Sequence, residues 1–306
     1  MRVSLITTGI MELNGLAAAL RRLFPDHDFH VEPDAPGKPF NGFTSCRVLP
    51  LSSADPPGKA VAMLRAALGT LLAADAMTPA SDFAVILEDL ELCNRGNEDV
   101  LIEHVRESAR RTLAGIGPAG EPSRAAKLLR ERVSFHLAVP MPESWFFGDL
   151  AALKTEVPDN AWPPALDAAR DPEDFSTTDP AYLADVGAAC TALAAKAALG
   201  AKKKKPEWVT DRRDEHPKHY LQWLMRAPEK ADCTTYKEQH EGVRLLAKLD
   251  WSTVLATGTW FPYLRALVRD LEAALGPSPC GLSPGGEEAP RTSLSVLPTN
   301  PVLRNL

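Results

Sequence analysis

Five successive apolar residues, Phe83-Ala84-Val85-Ile86-Leu87, run directly into Glu88, Asp89 and, after one leucine, Glu91. A strand that is apolar at every position buries both of its faces, which marks a central strand of a parallel sheet covered by helices. The acids at its end have a functional implication, because ligands of such sheets bind beyond the carboxyl ends of the strands.

The rest of the chain up to residue 141 fits this fold. Arg2–Thr7 reads as a β-type run, followed at once by helical spacing of Leu13, Leu16, Leu20 and Leu23. Residues 28–32 and 43–51 read as two further strands around a Pro/Gly-rich loop, 59–74 and 98–113 as helices, 123–132 as a short helix, and 133–139 as the last strong strand before Pro140. Alternating strands and helices imply a right-handed, mainly parallel sheet with helices on its faces, an α/β fold of Rossmann-like type over residues 1–141. Residues 142–275 change character and read as helices at 143–153, 182–199, 219–225, 236–248 and 262–275, packed on that core. The tail, 276–306, lacks a periodic face apart from a short run at 294–297 and reads as an extended, partly ordered arm.

Composition narrows the function. A net charge of −6 means that the surface as a whole does not attract polyanions, so any nucleic-acid contact needs a local basic patch. The five cysteines are scattered without CxxC spacing, which argues for reduced structural thiols rather than a zinc or redox site. No run reaches the roughly 18 apolar residues of a membrane span, and the first residues lack a signal-peptide pattern. The expectation is a cytoplasmic protein with no membrane partner.

Four segments could carry chemistry. Asp89 and Glu91, two apart on a strand, would point the same way and could share one hard cation such as Mg²⁺, although acids at a strand end also serve simply as polar surface. In Thr8-Gly9-Ile10-Met11-Glu12 the glycine permits the strand-to-helix turn. Glu12 would sit in the first helical turn, where the helix dipole alone would explain an acid but where a neighbouring strand end would bring it near Asp89. In Pro142-Glu143-Ser144-Trp145-Phe146-Phe147-Gly148-Asp149 the aromatics read as core anchors, and Glu143 as either a helix-start acid or a fourth site carboxylate. The segment from Lys202-Lys203-Lys204-Lys205 and Trp208 to Lys218-His219-Tyr220 could follow a phosphate backbone, with Lys218 and His219 as contacts, or could be a solvated linker. Phosphate-loop, dinucleotide and nucleophile-elbow motifs are missing from the sequence.

The order of these motifs resembles the TOPRIM-like proteins of unknown function related to OLD-family nucleases of bacterial defence loci. Tyr236-Lys237 to Gly242, Leu249-Asp250-Trp251 and the stretch from Phe261 to Leu271 also resemble that family's carboxyl-terminal part. The resemblance implies Mg²⁺ or Mn²⁺ held by Glu12, Asp89, Glu91 and Glu143. Glu12, Asp89 and Glu91 would be the catalytic set in phosphodiester cleavage, with a nucleic acid or a defence-complex protein as partner. Asp89 and Glu91 match its acid-x-acid pair, and Glu12 the second acid of its Glu-Gly-x-x-Glu turn. Thr8 stands where the first glutamate is expected, and a threonine hydroxyl is a poor ligand for a hard cation and no general base at neutral pH. The resemblance therefore implies a metal-dependent nuclease or, with its site decayed, a non-catalytic binding or regulatory subunit. A small-molecule phosphotransfer enzyme on the same sheet is a third expectation, since fold does not dictate function.

Overall fold

The computed structural model describes residues 1–72, 79–117, 121–167, 169–184, 212–225, 236–279 and 301–306. Strands β1 (Arg2–Thr7), β2 (Asp28–Glu32), β3 (Phe83–Asp89) and β4 (Val133–Ala138) form one parallel sheet in the order β2-β1-β3-β4. Helices α1 (Ile10–Leu23), α2 (Gly58–Leu72), α3 (Glu98–Ala114) and α4 (Pro122–Arg132) flank it. The buried run is thus a central strand, and it extends two residues further than its apolar stretch. Glu88 and Asp89 still pair with Leu137 and Ala138.

Alternate residues of β3 feed two separate cores. Val85 and Leu87 join a cluster with α1 and the aromatics Trp145, Phe146, Tyr220 and Trp251. Ala84 and Ile86 join a second cluster with α2, α3 and α4. The carboxyl-terminal segment therefore completes the first core: helices Pro217–Leu224, Val243–Lys248 and Pro262–Leu275 bury Tyr220, Leu246 and Leu267. Among the described residues, no helix is long and apolar enough to cross a membrane.

Three sequence expectations are corrected. Residues 43–51 form no strand, because side chains take the backbone groups that a ladder would need. Asn94 accepts from Val48 N–H at 2.8 Å and donates to the carbonyls of Thr44 at 2.7 Å and Cys46 at 3.2 Å, and Asn97 donates to Val48 O at 2.7 Å. The helix expected over 143–153 is a 3₁₀ segment, Pro142–Gly148, followed by a short helix, Leu150–Lys154, which Asp149 caps by accepting from Ala152 N–H. The end of the tail is docked rather than loose. Leu303 and Leu306 are fully buried, and Asn305 brackets Phe135 on the free edge of β4, accepting from its N–H at 3.0 Å and donating to its carbonyl at 2.7 Å. The 294–297 run, the lysine run 202–205 and most of the helix expected over 182–199 lie outside the described residues.

Candidate functional site

Gly9 lies two residues beyond β1 and N-caps α1 in an extended conformation, which puts Glu12 in the first helical turn, buried at 3% exposure. The Glu12 carboxylate folds back over Gly9. A Cβ on Gly9 would lie 1.9 Å from Oε2, so the absence of a side chain there makes the room that the carboxylate occupies.

Asp89 is the last residue of β3, partly buried beside β4. The chain keeps following β4 for two more residues, with Leu90 N–H donating to Ala138 O at 2.8 Å and Glu91 N–H to Pro140 O at 2.9 Å. Glu91 has φ 61° and ψ 148°, a region that side chains other than glycine avoid at a cost of about 1–3 kcal/mol. Strand alternation therefore stops before Glu91, and the expectation that strand geometry alone aligns Asp89 with Glu91 is corrected. Their carboxylates still interact, since Glu91 helps to raise the Asp89 pKa.

Glu143 enters from the 3₁₀ segment after β4, with 3% exposure. The turn is fixed by Ser144 Oγ donating to Val139 O at 2.9 Å, while Trp145, Phe146 and Phe147 anchor it in the core as expected of aromatics there. The carboxyl-terminal segment adds three groups. Tyr236 donates to Glu143 Oε1 at 3.1 Å. Lys218 pairs with Glu238 and lies 4.0 Å from Glu143 Oε1. Glu238 opens a π-helical turn, Glu238–Gly242, a geometry found often at functional sites. Gly242 lets that turn close, because a Cβ there would lie 2.9 Å from the Tyr236 hydroxyl and 2.8 Å from Met11 Sδ.

The electrostatics record the convergence. Burial, and then the Glu143 charge, push Glu12 up to about 8. Burial, and then Glu12, Glu91 and Glu143, hold Asp89 well above the usual carboxylate range. Burial raises Glu91 and Glu143 as well. Although burial disfavours its charge, Lys218 is raised by Glu143 and Glu238, so its ammonium is firmly charged among these acids. On the other face of the sheet, burial pushes Glu88 up to about 7; its Oε1 accepts from Thr44 N–H and Oγ1.

The structure places Lys218 and His219, the two expected phosphate contacts, in different settings. Lys218 is turned toward the acids. His219 is 6% exposed, stacks on His216 at 3.9 Å, and is pushed down to about 4 by burial and then by the Lys218 charge, so it is neutral at pH 7. Thr8 lies beside Gly42, which Glu88 Oε1 also approaches. Tyr236 and Glu238 were not singled out as site residues from sequence. The signal present was the resemblance at residues 236–242 and a glycine inside a helical pattern, which suggests close packing.

The donors in the cluster are oxygen atoms, the chemistry that Mg²⁺ or Mn²⁺ favours over softer metals. Among the described residues, no three His, Cys, Asp or Glu side chains stand at metal-ligating spacing. The cluster thus matches a hard cation in chemistry, while its acids are spaced around the Lys218 ammonium. No family model, curated protein or solved structure matches the chain.

Proposed function

We propose that this chain is a Mg²⁺- or Mn²⁺-dependent nuclease-like protein with a TOPRIM-like arrangement of acids, acting on nucleic-acid phosphodiesters in the cytoplasm as part of bacterial anti-phage defence. The supporting observation is the convergence of Glu12, Asp89, Glu91 and Glu143 at the carboxyl edge of a parallel sheet, where each of these acids is raised above its ordinary value. Such a cluster is short of positive charge, and perturbed acids concentrate at functional sites. Glu12, Asp89, Glu91 and Glu143 are the residues that would hold the cation, by closing in from the wider spacing they have around Lys218. When bound, it would polarise a phosphoryl oxygen and lower the pKa of a water. Tyr236 holds Glu143 in place by its hydrogen bond, and Lys218 keeps the acids together through Glu143 and Glu238.

A second reading, a catalytically degenerate binding or regulatory subunit, is favoured by Thr8 in place of the expected glutamate and by the spacing of the acids around Lys218. Titrating Mg²⁺ and Mn²⁺ by calorimetry into wild type and Asp89→Ala, alongside cleavage assays on single- and double-stranded DNA and RNA, separates the two. Metal binding lost in the variant together with cleavage by wild type is expected; folded wild type that neither binds metal nor cleaves establishes the second reading.

A further inference from the structure

Lys218 is the second residue of helix Pro217–Leu224, in the first turn, where the helix dipole disfavours a cation. The helix itself therefore gives no reason for a lysine there. What holds the side chain is the acidic cluster: its ammonium pairs with Glu238 and lies 4.0 Å from Glu143 Oε1, an oxygen that also accepts from Tyr236. The same charge acts on Glu12, Glu91 and Glu143, in each case against the effect of burial.

An ammonium and a divalent ion answer the same need, positive charge among carboxylates, but at different spacing. An ammonium is satisfied by carboxylate oxygens about 2.7–2.9 Å away, whereas Mg²⁺ draws its oxygens in to about 2.0–2.1 Å. The acids keep the wider arrangement, since among the described residues no three stand at metal-ligating spacing. We infer that Lys218 is a tethered counter-ion standing in the metal's place, so that Mg²⁺ or Mn²⁺ loads by expelling its ammonium and drawing Glu12, Asp89, Glu91 and Glu143 inward. This rests on the reading of the cluster as a hard-cation site and adds a latch to it. Expulsion leaves the helix where it is: Pro217, Tyr220 and Leu221 stay buried while the flexible stem of Lys218, already 30% exposed, carries the charge outward. A form that binds only after such a rearrangement shows an affinity reduced by the fraction of chains that are open. Lys218 thus sets the metal concentration at which the site fills.

The test is calorimetric titration of Mg²⁺ and Mn²⁺ into the full chain as wild type, Lys218→Met, which keeps the stem and removes the charge, and Lys218→Arg, which keeps the charge. Lys218→Met is expected to bind about tenfold more tightly than wild type or better, and Lys218→Arg no more tightly than wild type. Should Lys218→Met be destabilised by the loss of its counter-ion, Mn²⁺ should return its thermal midpoint to that of wild type, and failure to do so would overturn the latch. Equal or weaker binding by Lys218→Met, with wild type binding metal, would overturn the latch and leave the metal site standing. Absence of binding by folded wild type and folded Lys218→Met alike would overturn both.

Discussion

Replacing Glu12 by glutamine tests the acidic cluster through the stability of the fold. Glu12 titrates at about 8 in the folded chain against an ordinary value of 4.5, mainly because it is buried and then because Glu143 faces it. The unfolded chain releases this proton near pH 4.5 and the folded chain keeps it until about 8. The folded state therefore holds more protons in that interval, and its stability falls as pH rises. The cost mounts at about 1.4 kcal/mol per pH unit, so by pH 7 wild type has lost about 3 kcal/mol that an amide of the same shape does not lose. Urea unfolding of wild type and Glu12→Gln from pH 4.5 to 8 should give curves that meet at the acid end and diverge steadily, the variant being the more stable. Saturating Mg²⁺ should close much of the gap by stabilising wild type, and more so at higher pH, because ligand carboxylates must be deprotonated to hold a metal. Parallel curves, or a wild type that gains on the variant as pH rises, would refute the placement of Glu12 among buried acids.

Two further substitutions isolate backbone from charge. Gly9→Ala should leave stability within about 1 kcal/mol, because Gly9 is extended and alanine adopts that conformation freely, yet it displaces the Glu12 carboxylate. Metal affinity by calorimetry should therefore fall about tenfold or more while the unfolding midpoint barely moves; unchanged affinity would show that Glu12 is not a ligand. Glu91→Gly should raise stability by about 1 kcal/mol, strain relief being partly offset by the greater freedom of glycine in the unfolded chain. Glu91→Ala, which removes the charge but keeps the left-handed residue, should not match it; equal effects of the two would attribute the change to charge alone.

The sheet was legible because its evidence is local. Apolar alternation or continuity over five or six residues identifies β1, β3 and β4, and the Pro140 stop and the Gly9 turn identify where they end. The 43–51 segment defeated the same logic: Phe43, Val48 and Leu51 have strand-like character, but Asn94 and Asn97, some fifty residues away, supply the hydrogen bonds that decide its shape. The docked end of the tail was hidden for a similar reason. Leu303 and Leu306 show no periodicity of their own and gain meaning only against the open edge of β4.

The candidate site divides in the same way. Glu12, Asp89 and Glu143 each stand at or just beyond a strand end, and parallel topology alone brings such ends to one edge, so their neighbourhood could be argued from sequence. What topology could not give is the content of the opposite side, where Lys218, Tyr236 and Glu238 arrive from a segment whose path is set by the first core rather than by the sheet. Their arrival changes the chemistry. A cluster of acids alone would demand a divalent ion, whereas one already holding an ammonium between Glu143 and Glu238 has part of its charge balanced within the chain. Whether a metal competes with Lys218 or joins it therefore governs the catalytic and the degenerate readings alike. The buried tyrosine, raised well above its ordinary range by burial and by Glu143, stays a hydrogen-bond donor in both cases and keeps Glu143 aimed at the same point.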